Sequence, residues 1–113
     1  MMDVQGKKDA GVLTIAVSGK IDGVTAPELE SRLVDWLDQG ETRVILDLQE
    51  VYYISSAGLR VVLLGAKRLQ NKGRLVLAGL KPEVQEIFEM AGFDTILDFY
   101  DQPGSAREAL LPG

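Results

Sequence analysis

The chain has 113 residues, a net charge of −5, and neither cysteine nor histidine. Its length predicts one domain over residues 1–113, long enough to bury a core without disulfide bonds. The two missing residue types exclude disulfides, thiolate nucleophiles, zinc–thiolate sites and imidazole bases. The negative charge argues against binding to nucleic acid or to an anionic membrane surface.

The sequence also lacks membrane-targeting features. Its first segment, MMDVQGKKDAG, has no apolar run of the kind that a signal peptide contains. No other segment approaches the roughly 20 apolar residues that a membrane-spanning helix needs. We therefore expect a soluble domain of the cytoplasm.

The first predicted elements are strands and a helix. Residues 12–19 are rich in β-branched side chains and bounded by glycine, which predicts a strand, and residues 2–11 can add an antiparallel edge strand. Next, Thr25 and Glu28 have the spacing of a capping box, with a proline between them that suits a first helical turn. Gly40 ends this predicted helix. Its apolar residues at helical intervals are Leu29, Leu33, Trp36 and Leu37.

The alternation continues through the middle of the chain. Residues 43–48 form a near-continuous apolar run, typical of a central strand, and residues 73–80 predict another buried strand. Between them, residues 56–70 predict a helix. Its apolar stripe consists of Leu59, Val62, Leu63, Ala66 and Leu69. Val61 and Leu64 lie off this stripe, so we expect them to be partly exposed or covered by a partner.

Two further helices are predicted near the C-terminus. Pro82 opens the first, and Gly92 ends it just before Phe93. The residues expected to face inward are Val84, Ile87, Phe88 and Ala91. Residues 95–100 predict a short strand, and residues 103–110 a weak helix. Strands separated by amphipathic helices imply right-handed βαβ units, so the expected fold is α/β. It would have a four- to five-stranded, mostly parallel sheet, an antiparallel edge strand and about four flanking helices.

Candidate catalytic residues are scarce. Neither phosphate-binding glycine motif, G-x-x-x-x-G-K-[ST] or G-x-G-x-x-G, occurs. Asp22, Asp47 and Glu50 lie near predicted strand ends and could pair for acid–base chemistry, but such carboxylates more often cap helices or stay solvated. We therefore predict no catalytic residue, no metal site and no cofactor.

A basic cluster lies around the end of the predicted central helix. Its members are Lys67, Arg68, Lys72 and Arg74. Cations at a helix C-terminus complement the helix dipole, so the cluster is interpreted as structural.

The junction VYYISSAGLR, residues 51–60, places two serines and a glycine between a buried strand and an apolar helix. One interpretation is structural: Ser55 or Ser56 caps the helix, and Gly58 relaxes its first turn. Yet one serine suffices for a cap, and glycine inside a helix costs about 1 kcal/mol relative to alanine. Glycine there suits close approach of another backbone, and a hydroxyl at a helix N-terminus suits phosphorylation. The two interpretations are compatible.

Three segments carry a resemblance to a known family. DLQEVYYISSAGLRVVLLGAKRL, residues 47–69, resembles the signature of the STAS domain of bacterial anti-sigma factor antagonists. GKIDGVTAPELESRL, residues 19–33, and KPEVQEIFEMAGFDTIL, residues 81–97, resemble two other segments of that family. The segments occur in the family's order and together extend over nearly the whole chain. The resemblance implies a STAS-type fold.

The resemblance also implies roles for individual residues. The family's phosphoacceptor is the second residue before Gly-Leu, which is Ser56, in a loop of about residues 52–58. Ser55 is a rival acceptor and stands where many members have aspartate. Asp22 matches an aspartate that helps contact the kinase, although it can equally be a turn-capping carboxylate. The implied partner-binding set is Asp22, Tyr53, Ser55, Ser56, Ala57, Gly58, Leu59 and Arg60.

The implied function is partner switching. The unphosphorylated domain would bind an anti-sigma factor that is also a serine kinase, and the sigma factor would be released. Phosphorylation of Ser56 would switch binding off, and a serine phosphatase would restore it. The domain itself would be a monomer without enzymatic activity.

Two alternatives remain at this point. One is a STAS subunit that docks permanently on a transporter or another signalling complex. The other is a small nucleotide-binding or nucleotide-hydrolysing enzyme, which the missing phosphate-binding loop disfavours.

Overall fold

The structure is a computed structural model that describes residues 2–111. Strands and helices alternate along this part of the chain. In order, they are β1 (Met2–Asp9), β2 (Val12–Ile21), α1 (Ala26–Asp38), β3 (Arg43–Ile54), α2 (Ser56–Leu69), β4 (Arg74–Ala78), α3 (Pro82–Met90), β5 (Phe99–Tyr100) and α4 (Pro103–Leu110). A short 3-10 turn, Phe93–Thr95, lies between α3 and β5.

The strands form one sheet in the order β1-β2-β3-β4-β5. β1 pairs antiparallel with β2, and the other neighbours pair in parallel. Ala10 and Gly11 join β1 to β2 with φ angles of 52° and 82°, the left-handed pair that a tight hairpin requires. The predicted mostly parallel sheet with an antiparallel edge strand is confirmed.

Helices cover both faces of the sheet. α1, α2 and α3 share the larger apolar core with one face, and α4 covers the other face with Ala106 and Leu110. The central strand β3 is buried on both sides, because Val44 and Leu46 face the larger core and Ile45 faces α4. This explains its near-continuous apolar run.

β3 is longer than predicted. Its pairing with β2 shifts register between Ala16 and Ser18 and again between Gly19 and Lys20, and then continues to Ile54. The apolar pattern of β3 breaks at the first of these shifts, where Gln49 and Glu50 are polar. The sequence therefore predicted that the strand ends at residue 48. The extension places the ends of both strands at one edge of the sheet.

Some burial predictions for the helices are wrong. Val61 was expected to be partly exposed, but it is only 3% exposed. α2 packs against α1 as well as the sheet, and Gly65 allows this, since a Cβ there would lie 3.0 Å from a methyl group of Leu33. In α3, Val84 and Phe88 are buried as expected. Ile87, however, is half-buried and Ala91 exposed, because this nine-residue helix buries a narrow stripe.

The remaining C-terminal elements agree more closely with expectation. Phe93 follows Gly92, which has a φ angle of 84°, and packs edge-on against Phe88 with ring centroids 5.3 Å apart. The predicted strand over residues 95–100 shortens to β5, because the chain first makes the 3-10 turn. α4 has the predicted bounds. No helix within residues 2–111 combines the length and the apolar character needed to cross a membrane.

Candidate functional site

β2 and β3 end side by side. The predicted loop of about residues 52–58 does not form, because residues 52–54 are the end of β3 and residues 56–58 are the first turn of α2, so only Ser55 lies between them. Ile21 pairs with Ile54 as the last residues of the two strands, and the backbone N–H of Ser55 donates to the Ile21 carbonyl at 2.8 Å. Parallel strands end at the same edge of a sheet, which is where open α/β sheets commonly bind ligands. The loop that begins at Asp22 therefore lies beside the start of α2.

The two serines occupy different environments. Ser55 is the N-cap residue of α2, with extended backbone, but its side chain makes no capping hydrogen bond. Its hydroxyl oxygen is buried and has no hydrogen-bond partner within residues 2–111. Ser56, the first residue of α2, is exposed. A serine therefore occupies the N-cap position of α2, as predicted. The prediction that its side chain caps the helix by a hydrogen bond is wrong.

Gly58 provides close packing beneath these serines. It is buried, and a Cβ at this position would lie 2.6 Å from Cγ1 of Ile54 and 2.7 Å from Cγ2 of Ile21. The start of α2 can lie directly on the strand ends only because residue 58 has no side chain. Gly58 was included in the partner-binding set, but its burial places it under the surface, where it supports the first turn of α2.

Asp22 organises the neighbouring loop. Its Oδ1 accepts hydrogen bonds from the N–H groups of Val24, at 3.0 Å, and Thr25, at 3.1 Å. The Thr25 hydroxyl donates to the Lys20 carbonyl and accepts from the Asp22 N–H. Thr25 precedes α1 but makes no side-chain cap, so the predicted capping box does not form. The turn-capping interpretation of Asp22 agrees with this geometry.

The hydrogen bonds of Asp22 favour its ionised form. The Thr25 N–H bond is the largest cause, and it lowers the pKa of the Asp22 carboxyl below its ordinary value despite the opposing effect of desolvation. Smaller contributions in the same direction come from the Val24 N–H, the Thr25 hydroxyl and the Lys20 ammonium. A fixed negative charge therefore lies in the loop beside α2.

Apolar side chains are also exposed at this edge, Val24 in the loop after β2 and Tyr53 near the end of β3. Val24 is 88% exposed and Tyr53 is 43% exposed, and the Lys20 Nζ lies 5.9 Å from the centre of the Tyr53 ring. Arg60, one turn into α2, is exposed, whereas Ala57 and Leu59 are partly buried. Large exposed apolar residues beside charged ones are typical of protein-binding surfaces. Val24 was missed from the sequence, where its only signal was an apolar residue within the polar turn Asp-Gly-Val-Thr.

The other candidate clusters do not assemble into a catalytic site. Asp47 binds the backbone and side-chain amides of Gln49. Asp47 and Glu50 precede Ile54 by seven and four residues along β3, so they lie roughly 23 Å and 13 Å from the end of that strand. Asp22 lies beyond this end, because it follows Ile21, the partner of Ile54. Within residues 2–111, no group of three or more His, Cys, Asp or Glu side chains could hold a metal ion.

The basic cluster is partly neutralised. Arg68 pairs with Asp38, and Arg74 with Asp98, each with an N–O distance of 2.6 Å. The two pairs join the end of α2 to α1, and the start of β4 to the segment before β5. This agrees with a structural interpretation for these two arginines.

Comparison with known proteins identifies the family. The sequence profile of the STAS domain matches residues 2–106. A Bordetella bronchiseptica protein provisionally described as anti-sigma factor antagonist BtrV is 52% identical over 100 residues, which cover 88% of this chain and 86% of the relative. The anti-sigma-B factor antagonist of Listeria monocytogenes is 32% identical over 99 residues, with 87% of each chain covered.

A solved structure supports the same assignment of fold. The crystal structure of an anti-sigma factor antagonist from Mycobacterium paratuberculosis superposes with a TM-score of 0.92 at 24% identity, covering 97% of this chain and 94% of that one. The five-stranded sheet with one antiparallel edge and four α-helices therefore has a close counterpart. This chain belongs to the STAS domain family.

Proposed function

We propose that this chain is an anti-sigma factor antagonist that works by partner switching in the cytoplasm. Its unphosphorylated form binds an anti-sigma factor that is also a serine kinase, and the sigma factor is released. Phosphorylation of Ser56 switches this binding off, and a serine phosphatase restores it. The names of the relatives support the antagonist function, and the exposed hydroxyl of Ser56 at the start of α2 is the observation that carries the switch.

The position of Ser56 suits a phosphate group. The first N–H groups of a helix have no partner within the helix, and α2 receives no side-chain cap. These N–H groups and the positive end of the helix dipole tolerate a dianion, so the added phosphate need not disturb the fold. Ser55 is a poorer acceptor, because its hydroxyl oxygen is buried.

The surface around Ser56 suits a protein partner. We name the exposed or half-exposed residues Asp22, Val24, Tyr53, Ser56 and Arg60 the Ser56 surface. Val24 and Tyr53 supply apolar and aromatic contact area, and aromatic residues and arginine are common hot spots of protein interfaces. Ala57 and Leu59 contribute from their partly buried positions, and Gly58 contributes only through the packing of α2.

Phosphorylation changes the charge of this surface. It adds about −1.5 to −2 charges and three oxygens at a position that a partner would cover. The negative Asp22, which pairs with Lys20 at 3.7 Å, and the positive Arg60 balance each other in the unmodified Ser56 surface, so phosphorylation makes this surface anionic. Like-charge contact and desolvation at an interface can cost several kcal/mol, which is enough to weaken binding without any change of fold. The domain needs no cofactor and performs no chemistry of its own in this scheme.

Phosphorylation by a candidate kinase tests the assignment. The chain and its Ser56→Ala and Ser55→Ala variants are incubated with the anti-sigma kinase encoded nearest its gene, with ATP and Mg²⁺, and analysed by mass spectrometry. We expect phosphate on Ser56 in the unaltered chain and in Ser55→Ala, and none in Ser56→Ala. Phosphate on Ser55 would refute the acceptor assignment. No phosphate on either serine from any candidate kinase would favour permanent docking on a transporter or signalling complex.

A further inference from the structure

A second site lies at the other end of α2. A half-open cavity of about 410 Å³ lies between the last turns of α2, the start of β4 and the segment before β5. Its apolar lining residues are Leu63, Ala66, Leu69, Leu75, Ile96 and Leu97. Small-molecule sites typically have volumes of about 300–1,000 Å³ and mainly apolar walls with a few polar groups. The size of this cavity falls within that range, and its lining, divided about equally between polar and apolar surface, suits a small ligand that has both kinds of group.

The cavity has a buried floor and an exposed apolar rim. Leu69, Leu75 and Leu97 are nearly inaccessible, whereas Ile96 is 54% exposed. The backbone N–H of Ile96 donates to the Phe93 carbonyl at 3.1 Å, so the 3-10 turn holds this residue at the rim. An apolar ligand body seated in the cavity would remove Ile96 from water, which favours binding.

The charged rim favours an anionic head group. Lys67, Arg74 and Asp98 line the opening, and Arg74 and Asp98 pair with each other at 2.6 Å. Lys67 forms no ion pair within residues 2–111. The rim therefore carries two positive side chains and one negative side chain, and the amide of Gln70 lies beside them.

The end of α2 does not cancel this positive charge. The Lys67 carbonyl accepts from the Gln70 N–H at 3.2 Å, and the Leu69 carbonyl accepts from the N–H groups of Lys72 and Gly73. Carbonyls that accept such hydrogen bonds contribute less negative potential at a helix C-terminus. The Lys67 ammonium remains the charge available to a ligand.

We propose that this cavity binds a small amphipathic carboxylate. Its apolar body lies against Leu63, Ala66 and Ile96, and its carboxylate contacts the Lys67 ammonium. Ser56 and Lys67 are eleven residues apart on α2, which at about 1.5 Å per residue separates the two positions by roughly 16 Å. The proposed ligand therefore does not occupy the Ser56 surface, and the proposal does not depend on the partner-switching function.

Octanoate and 1-octanol test the site, because they share an eight-carbon body and differ in charge. Each is titrated into the ¹⁵N-labelled chain below its solubility or micelle limit, and amide shifts are followed by NMR. We expect octanoate shifts to saturate at Ala66, Gly73 and Ile96, with a Kd of about 1 mM or tighter for a ligand of this size. We expect 1-octanol to bind several-fold more weakly. Unsaturable shifts, shifts scattered over the surface, or equal affinity for the alcohol would overturn the proposal.

Matched variants locate the two parts of the ligand. Lys67→Gln should weaken octanoate binding by up to about fivefold, the upper end of the range for an exposed ion pair, without changing 1-octanol binding. Lys72→Gln makes the same charge change outside the lining and should leave both affinities unchanged. Ala66→Phe should abolish binding by filling the cavity. If that variant does not fold, Ile96→Gln at the exposed rim should still weaken the binding of both octanoate and 1-octanol. Equal effects of the two lysine variants would contradict the assigned head-group contact.

Discussion

Replacement of Gly58 by alanine tests whether close packing at residue 58 sets the start of α2. The new Cβ would approach Cγ1 of Ile54 and Cγ2 of Ile21 to 2.6 and 2.7 Å, well inside normal carbon–carbon contact. Both isoleucines are buried, with exposed fractions of 2% and 0%, and β-branched side chains rotate poorly about χ1. α2 must therefore move away from the strand ends.

The expected magnitude combines two opposing effects. Overpacking a core position costs about 1–3 kcal/mol. Alanine in place of glycine recovers up to about 1 kcal/mol of helix propensity. Gly58→Ala should therefore lower the free energy of unfolding by about 1–2 kcal/mol. Because α2 carries Ser56, the displacement should also weaken partner binding.

Urea unfolding measures the stability change, and Gly104→Ala is a matched control. Gly104 lies in the first turn of α4, and a Cβ there would meet no atom within 4 Å. We expect the free energy of unfolding of Gly104→Ala to equal that of the unaltered chain or to exceed it by up to about 1 kcal/mol. Both variants should retain the same urea dependence of unfolding. A Gly58→Ala chain as stable as the Gly104→Ala chain would refute the packing argument.

Three further predictions concern the Ser56 surface. Ser56 phosphorylation should leave the melting temperature within a few degrees of the unmodified chain, because the phosphate lies at a helix N-terminus; a much lower value by calorimetry would mean that modification acts by unfolding. Val24→Ser should change the free energy of unfolding by less than about 0.5 kcal/mol, since Val24 is exposed, and yet weaken binding of the anti-sigma kinase measured by calorimetric titration. Unchanged binding would remove Val24 from the interface. The lowered pKa of Asp22 means that its ionised form stabilises the fold above the ordinary value of 3.8 and loses this effect as the pH falls through the folded-state pKa. Urea unfolding at several pH values measures the stability difference between the unaltered chain and Asp22→Asn. This difference should shrink in that acidic range, and a difference independent of pH would contradict the assigned hydrogen bonds.

Regular patterns in the sequence were sufficient to predict most of the fold. The β-branched run of β2, the apolar run of β3 and the proline-started helices α3 and α4 each reflect local chemistry that tertiary packing leaves unchanged. β3 was predicted too short, because its final residues pair with β2 through register shifts that the sequence pattern does not reveal. Val61 was misjudged because α2 packs against α1 as well as the sheet, and the apolar stripe of a single helix does not show how many elements surround it.

The site was predictable in outline but not in detail. The junction of two serines and a glycine marked the start of α2, and the family resemblance favoured Ser56 over Ser55 as the phosphoacceptor, which stays a prediction. Only the geometry revealed that the Ser55 hydroxyl is buried without a partner, since this depends on a rotamer. Thr25 and Glu28 had capping-box spacing, but Asp22 and the Lys20 carbonyl offered Thr25 alternative hydrogen bonds. Such competition between local partners is not encoded in spacing alone.

The affinity of the anti-sigma kinase for the two forms of the chain tests the proposed switch most directly. Isothermal titration calorimetry compares the unmodified chain with the chain phosphorylated only at Ser56, both first checked for an unchanged fold by circular dichroism. The account predicts that phosphorylation weakens binding by about 100-fold or more, equivalent to about 2.7 kcal/mol. Affinities that agree within about threefold would contradict it, because a dianion at the centre of the Ser56 surface would then have no effect on the partner.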